Sequence, residues 1–355
     1  MQKKLFFHIG PHKTGTTSLQ RLLHKHHKEL LRFGIIYPTK NLGAWNAQHR
    51  LAFAAKRKTD RKAPQALSRA EEFASVLDEI KSSDADTAII SSEEFFASDN
   101  DGIQFLRDSL HAFSVFVVFY VRRQDEAYIS TYTETTKMPR NARIAPITTH
   151  LNMPTRLSAD LDIHGCASRW AAAFGKEAMI ARPYDRTLNV PEDFMHCVNE
   201  RRDNGATLPM EFFAEREDIN PSPSLEAVEL TRLFKSKSTD MEQRHLAAQL
   251  LQGYFRTARP AERLLSTADR RAILEFFRES NNELFREYFS SENKFTPELL
   301  LQGDEVAREA LTLDDTARII VELLEKQHEM EARLPEKKYG GVIAAARRLG
   351  LVRGS

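Results

Sequence analysis

Residues 5–18 of the chain read LFFHIGPHKTGTTS, and this stretch decides the fold. The apolar run Leu5–Ile9 stops at Gly10-Pro11, which is typical of a buried strand followed by a loop. The hydroxyl residues 16–18 then offer N-terminal helix chemistry, and leucines recur at helical spacing from Leu19 onward. The stretch therefore predicts a strand, a glycine-containing turn and a helix in direct succession.

Further strands and helices are predicted on the C-terminal side of this stretch. The predicted strands are Ile35–Tyr37, Thr87–Ile90, Val115–Val121 and Ala178–Arg182, and residues 68–80 are predicted to be helical. Strands that alternate with helices imply a parallel sheet covered by helices. We therefore expect an α/β fold, P-loop-like and three-layered, with a central parallel sheet flanked by helices and a mainly helical C-terminal half.

The C-terminal half shows helical periodicity and many charges. Three helical blocks are predicted at residues 224–256, 267–289 and 304–334. The expected domains are an α/β core over residues 1–200, a helical portion over 201–336 and a basic amphipathic tail over 337–355. A tail of this kind most simply docks on the body of the protein, although a partner or a membrane surface would also suit it.

Composition narrows the class of protein. The 355 residues are 41% hydrophobic and 28% charged, with a formal net charge of +1, which argues against nonspecific nucleic-acid binding. Two cysteines, Cys166 and Cys197, cannot form a disulfide framework or a cysteine-rich metal site. Leu5–Ile9 is too short for a signal-peptide core, and no apolar stretch reaches membrane-spanning length. We expect a cytoplasmic protein without a transmembrane segment.

The turn after the first strand has the chemistry of an anion cradle. Backbone N–H groups and the positive end of the helix dipole converge there, and Lys13 adds a full charge. Gly10 and Gly15 allow the backbone to approach a ligand closely. In a Walker A loop the lysine directly follows the second glycine, whereas here Thr16 follows Gly15. The loop therefore argues against an ordinary ATP or GTP hydrolase.

Lys-Thr-Gly-Thr-Thr after an apolar strand resembles the 5′-phosphosulfate loop of sulfotransferases that use 3′-phosphoadenosine-5′-phosphosulfate (PAPS), in particular bacterial members of that family. The resemblance is specific over residues 5–137 and becomes loose afterwards, at Arg182-Pro183-Tyr184, Asn220-Pro221-Ser222 and Ser280-Asn281. It implies PAPS as co-substrate and no metal requirement.

The family binds the 3′-phosphate of the donor with an arginine at a strand end and a serine eight positions later. Arg122 and Ser130 match that spacing, and the adjacent Arg123 is an alternative to Arg122. The donor-binding residues implied by the resemblance are Pro11, His12, Lys13, Thr14, Gly15, Thr16, Thr17, Ser18, Arg122 and Ser130. Lys13 is also expected to neutralise the leaving phosphate during transfer.

A general base for the acceptor is expected after the strand Thr87–Ile90, at the carboxyl edge of the sheet. Glu93 is the first choice and Glu94 the second, while His49 is a competing candidate. Glu93 could equally be a helix-start residue stabilised by the dipole. The catalytic residues predicted from the sequence are thus Lys13, Glu93 and His49.

The predicted activity is sulfuryl transfer to a hydroxyl or amine, with a saccharide or small metabolite as acceptor by analogy with bacterial relatives. Two alternatives remain open at this point: a P-loop nucleotide or small-molecule kinase, and a noncatalytic nucleotide-binding scaffold. A kinase would require the Walker lysine after Gly15. The identity of the acceptor and the oligomeric state do not follow from the sequence.

Overall fold

The computed structural model of the chain describes residues 2–43, 46–56, 69–138, 145–151, 161–203, 208, 210–214, 223–238, 240–254, 259–301 and 305–321. A five-stranded sheet with the order β2-β3-β1-β4-β5 forms its centre, and all neighbouring strands are parallel. The strands are β1 (Lys4–Gly10), β2 (Ile35–Ile36), β3 (Thr87–Ser91), β4 (Ser114–Val121) and β5 (Met179–Pro183). The predicted parallel sheet is confirmed, and each predicted strand lies within two residues of an observed one.

Helices connect and cover the strands. In the first part of the chain they are α1 (Thr16–Lys25), α2 (His27–Arg32), α3 (His49–Ala55), α4 (Arg69–Ser82), α5 (Asn100–Ser109) and α6 (Gln124–Lys137). They continue with α7 (Ile163–Phe174), α8 (Val190–Glu200), α9 (Glu211–Ala214), α10 (Leu225–Lys237), α11 (Met241–Tyr254), α12 (Thr267–Phe276) and α13 (Arg278–Phe289). Short 3₁₀ turns lie at Glu93–Phe95, Ile147–His150, Lys176–Ala178, Ala261–Leu264 and Pro297–Leu301.

Hydrophobic cores lie on both faces of the sheet because successive side chains of β1 point to opposite sides. Leu5, Phe7 and Ile9 pack with apolar residues of α4, α5 and α7. Phe6 faces the other way and packs with apolar residues of α1, α2 and α8. A strand buried on both faces reads as a continuous apolar run, and the resulting three layers are those that the sequence predicted.

The register of the sheet brings the carboxyl ends of its strands to one edge. His8 of β1 is opposite Ser91, the last residue of β3, and Gly10 is opposite Phe119 of β4. The last residue of β4 is in turn opposite Pro183, at the end of β5. The segments that follow these strands therefore begin close to one another.

The described chain divides into two compact units whose segments interleave along the sequence. Within the described ranges, the first unit lies in residues 1–131, 149–220 and 268–304, and the second lies in residues 132–148, 221–267 and 305–321. The sequence-based division at residue 200 stays a prediction. Two of the predicted helical blocks are each divided into two helices: α10 ends at Lys237 and α11 begins at Met241, and α12 and α13 are separated at Phe277.

Within the second unit, one arginine joins three carboxylates. Arg259 donates hydrogen bonds to Glu226 (2.8 Å), Glu309 (2.9 Å) and Asp315 (2.7 Å). Glu226 is fully buried on α10, so the guanidinium compensates a charge that has lost its water. The network links α10 to residues 305–321, the described part of the third predicted block, in which residues 313–321 are helical.

No helix among the described residues combines the length and the apolar character needed to cross a membrane. The predicted tail over residues 337–355 lies outside the described residues, as do Asn220 and Ser222. Nothing in the structure therefore bears on their predicted roles.

Candidate active site

The loop between β1 and α1 contains two residues in left-handed backbone conformation, Lys13 and Gly15. Gly15 caps the start of α1 with φ 76°, and Lys13 adopts φ 66°, which is uncommon for a residue with a side chain. Turns that alternate in handedness direct successive N–H groups toward one concave side. The Thr14 hydroxyl donates to the carbonyl oxygen of Pro11 at 2.7 Å, so it stabilises the loop from within. The predicted succession of strand, glycine-containing turn and helix is thus present, and the turn has an internal hydrogen bond.

Glycine is needed at both ends of the loop because neighbouring residues leave no room for a side chain there. A Cβ atom on Gly10 would lie 2.9 Å from the Cα atom of Glu93, and one on Gly15 would lie 2.9 Å from a methyl group of Val190. Both glycines also have positive φ, at 103° and 76°. The loop is therefore packed directly between the turn that follows β3 and the first residue of α8.

Arg122 follows β4 and reaches this loop. Its Nη1 donates to the carbonyl oxygen of Lys13 at 2.6 Å, and its guanidinium carbon lies 5.2 Å from the ring centre of Tyr184. The residue is only 5% exposed, and among the described residues its Nε makes no hydrogen bond, although it forms an ion pair with Glu126 at 3.5 Å. The structure thus joins the two motifs that the sequence placed 109 residues apart.

Arg123 points to a different set of partners. Its Nε donates to Asp125 at 2.7 Å, and its Nη2 lies 3.3 Å from Glu126. Asp125 is fully buried and also accepts from Arg270 at 2.9 Å. Of the two adjacent arginines, Arg122 is therefore the one that contacts the loop. Ser130 lies on α6 and is partly buried.

The turn after β3 carries the predicted acidic residues. Ser92 caps the short turn Glu93–Phe95 by accepting a hydrogen bond from the Glu94 backbone at 3.2 Å. Glu93 therefore does begin a short helical turn, as one of the two sequence interpretations held. Its side chain, however, accepts a hydrogen bond from Gln20 of α1 at 2.8 Å.

Electrostatics keep Glu93 ionised. Burial acts to raise its pKa, but the hydrogen bond from Gln20, the interactions with His49 and His12 and a backbone hydrogen bond outweigh burial and hold the pKa below its usual value. Glu94 is engaged elsewhere, 3.5 Å from Lys56 and 3.7 Å from His12. At neutral pH Glu93 is thus a carboxylate with a weakened affinity for protons.

His49 is the first residue of α3 and lies beside the same turn. Its Nδ1 is 2.7 Å from the Ser92 hydroxyl. Ser92 directly precedes Glu93, so His49 contacts the same turn that carries the acidic residues. The structure therefore brings together the loop and all three base candidates, His49, Glu93 and Glu94.

Sequence reasoning missed three residues that support this site: Gln20, Ser92 and Tyr184. Gln20 lies in the leucine-rich stripe of α1, where a polar residue gives no indication of its partner Glu93 in the turn after β3. In the sequence, Tyr184 stands only in a segment of loose similarity, Arg182-Pro183-Tyr184. Two further loosely similar segments have structural partners, because Arg182 donates to Asp193 at 3.0 Å and Asn281 forms a reciprocal amide pair with Gln124.

A separate groove of about 730 Å³ lies beside the edge strand β2, lined by Gly34, Lys40, Glu79 and neighbouring residues. It shares no lining residue with the loop, Arg122 or the turn after β3. Within the described part of the chain, no group of three or more His, Cys, Asp and Glu residues is arranged to hold a metal ion. The loop and the strand ends around it are therefore the candidate site.

No protein-family model matches the chain. The chain is 27% identical over 252 residues to a protein of Archaeoglobus fulgidus described as uncharacterized, an alignment that covers 67% of this chain and 66% of that protein, just under two thirds of its length. Among solved structures, the sulfotransferase from Alicyclobacillus acidocaldarius is similar at 16% identity and a TM-score of 0.42, over 70% of this chain and 95% of that chain. Neither match assigns the chain to a family, so function has to be inferred from the residues of the site.

Proposed function

We propose that this protein is a sulfotransferase that moves a sulfuryl group from PAPS to a hydroxyl or amine of an acceptor. The hydrogen bond from Arg122 to the Lys13 carbonyl is the main support for this proposal. It places the candidate residue for the 3′-phosphate of PAPS next to the candidate loop for its 5′-phosphosulfate. A buried guanidinium suits an anion, since charge-assisted hydrogen bonds to phosphate are among the strong ones, and the Nε of Arg122 makes no hydrogen bond among the described residues.

Each donor-side residue has a distinct role in this proposal. Lys13 and the loop N–H groups neutralise the charge that develops on the leaving 5′-phosphate. The partly exposed hydroxyls of Thr17 and Ser18, at the first turn of α1, add hydrogen bonds to the same phosphate. Arg122 and Ser130 hold the 3′-phosphate, the group that distinguishes PAPS from ordinary nucleotides.

The acceptor binds on the β3 side of the loop, where Glu93 and His49 stand. Gly10 packs against Glu93, so a group attacking the sulfur from this side is near both base candidates. A saccharide or small metabolite is the proposed acceptor class. The protein contributes orientation, charge neutralisation and proton removal, and the proposal includes no metal.

Calorimetry tests the donor-binding half of the proposal. We expect adenosine 3′,5′-bisphosphate, the desulfated product, to bind in the absence of metal at least tenfold more tightly than ATP with Mg²⁺. Tighter binding of Mg-ATP would contradict the proposal and favour a kinase.

Transfer of radiolabelled sulfate from PAPS to a panel of sugars and phenols tests the catalytic half. We expect Lys13→Ala to lower the rate roughly 100-fold or more, because it removes a charge at the leaving group. The exposed Lys81→Ala is the matched control, and EDTA is expected to leave the rate unchanged. A protein that binds the bisphosphate but transfers no sulfate, even to water, would be a noncatalytic scaffold.

A further inference from the structure

The start of α8 packs against the end of the loop. Val190, the first residue of α8, is buried, and one of its methyl groups lies 2.9 Å from the position that a Cβ atom on Gly15 would take. Gly15 has φ 76° and is the N-cap residue of α1. It therefore belongs to the turn that is proposed to bind the 5′-phosphosulfate of the donor, and the position of Val190 limits where that turn can lie.

Two neighbouring strands hold α8 in this place through a single carboxylate. Tyr120 of β4 and Arg182 of β5 are opposite each other in the sheet. The Tyr120 hydroxyl lies 2.9 Å from Oδ2 of Asp193, one helical turn after Val190, and 3.3 Å from the Val190 carbonyl oxygen. Nε of Arg182 donates to the same Oδ2 atom at 3.0 Å, and its Nη2 donates to Oδ1. Tyr120, Arg182 and Asp193 thus form an α8 anchor, which attaches the start of α8 to the ends of β4 and β5.

The charges of the α8 anchor are compatible with an anion bound nearby. Arg182 binds both oxygens of Asp193, which compensates a negative charge that would otherwise repel a donor carrying several phosphate charges. Burial and the Asp193 charge raise the pKa of Tyr120 well above its usual value, so the phenol keeps its proton and remains a hydrogen-bond donor. Because Tyr120 is fully buried, loss of its partner would leave a polar group that solvent does not reach.

We propose that Tyr120 and Asp193 are positioning residues for the 5′-phosphosulfate end of PAPS, an inference that rests on the proposed sulfotransferase function. They act through Val190, which they hold against Gly15, so that the loop keeps the left-handed conformation in which its N–H groups converge on a phosphate. Among the described residues, the α8 anchor makes no hydrogen bond or ion pair with Arg122, the candidate ligand of the 3′-phosphate. Its substitution should therefore affect the 5′ end of the donor and spare the 3′ end.

Adenosine 5′-monophosphate and adenosine 3′-monophosphate separate the two ends of the donor site in calorimetry. Asp193→Ala removes the carboxylate of the α8 anchor, and Tyr120→Phe removes only a hydroxyl while keeping the buried ring. We expect Asp193→Ala to weaken binding of the 5′-monophosphate and of adenosine 3′,5′-bisphosphate roughly 10-fold each, and Tyr120→Phe roughly threefold. Binding of the 3′-monophosphate should change by less than about twofold in both variants. In the sulfate-transfer assay the KM for PAPS should rise by similar factors, whereas the KM for the acceptor should not change.

The matched control is Asp162→Ala, which makes the same substitution at the start of α7, where the Asp162 carboxylate accepts from the Gly165 N–H at 3.0 Å. Loss of this cap should lower stability in urea but leave the binding of all three nucleotides unchanged. If Asp193→Ala does not fold, Tyr120→Phe decides the outcome.

Three results would overturn the assignment while leaving the sulfotransferase proposal intact. They are unchanged 5′-monophosphate binding in Tyr120→Phe, equal weakening of both monophosphates in Asp193→Ala, and the same loss of 5′-monophosphate affinity in Asp162→Ala. The last two would show that the α8 anchor contributes only to general stability. If the wild-type protein neither binds the bisphosphate nor turns over PAPS, the proposed function itself fails.

Discussion

At the scale of single residues, Arg122 has two tasks in the proposed site. It is a candidate ligand for the 3′-phosphate, yet its Nη1 also supports the Lys13 carbonyl in a left-handed backbone conformation. Tyr184 lies against the guanidinium and limits its movement. The two ends of the proposed donor site are therefore connected through one side chain.

Substitution of Arg122 should consequently weaken binding at both ends. We expect Arg122→Ala to weaken binding of adenosine 3′,5′-bisphosphate by roughly 10- to 100-fold, the equivalent of one or two charge-assisted hydrogen bonds. Binding of AMP, which lacks the 3′-phosphate, should also weaken, by a smaller factor. Calorimetry measures both, with Arg122→Lys as a control that keeps the charge and loses the forked geometry. Unchanged AMP binding would show that Arg122 does not organise the loop.

The residues of the loop could be predicted from the sequence, whereas their partners could not. Gly10, Lys13 and Gly15 lie within six consecutive residues, so the sequence itself indicates a glycine-containing turn with a positive charge. Gln20 and Glu93 are 73 positions apart, and their hydrogen bond depends on where α1 and the turn after β3 lie in space. The sequence could not distinguish Arg122 from Arg123, because two adjacent arginines have the same chemistry. Only the structure shows that the side chain of Arg122 reaches the loop and that of Arg123 reaches Asp125.

At the scale of secondary-structure elements, the start of α6 is anchored by buried polar pairs. Gln124 and Asn281 exchange two amide hydrogen bonds, of 2.6 and 3.1 Å, and Asp125 accepts from Arg270 of α12. Both amides are almost completely buried. These contacts hold the segment that follows Arg122 in place. They therefore help to position Arg122, although none of them involves a residue of the loop.

Asn281→Ala should reveal this anchoring. The substitution leaves the buried Gln124 amide without its partner, which is expected to cost about 1–3 kcal/mol in the free energy of unfolding. Urea denaturation measures the loss. In a double-mutant cycle with Gln124→Ala, the two effects should be less than additive, because the residues form one pair. Fully additive losses would contradict the pairing.

Helix boundaries in the C-terminal half were harder to predict than the strands. Apolar periodicity runs through residues 224–256, yet the chain leaves the helix at Ser238 and starts again after Asp240. The Asp240 carboxylate accepts from the backbone N–H groups of Glu242 and Gln243, which is capping chemistry. The spacing of apolar residues does not predict such a break, because both helices bury apolar side chains at the same helical spacing.

At the scale of the whole molecule, one buried histidine links folding to pH. His8 lies on β1 with no exposed surface, its Nδ1 2.8 Å from the Ser91 hydroxyl and its ring beside Tyr120 and Phe194. Burial lowers the pKa of His8 to about 4, against a weaker opposing effect of the Glu93 charge. The folded protein therefore binds this proton less readily than the unfolded chain does.

Acid should thus weaken the fold between about pH 6.5 and pH 4. Over that range the unfolded chain binds more protons at this position, so the free energy of unfolding falls as pH falls, by up to about 3 kcal/mol. His8→Phe should remove this part of the pH dependence, whereas the exposed His111→Phe should not. In a Trp45→Phe background, fluorescence of the buried Trp170, whose ring centre is 5.5 Å from that of Phe7, reports unfolding of the sheet. An unchanged pH dependence in His8→Phe would contradict this linkage.

The close packing at Gly10 also limits how this loop can be transferred to another protein by engineering. The space that a Cβ atom would need is occupied by the backbone of Glu93, which belongs to a different strand connection. A designer who grafts residues 10–18 onto another parallel sheet must therefore graft the turn after the neighbouring strand as well. Under the proposed function, the residues that bind the donor and those beside the acceptor would then have to be transplanted together.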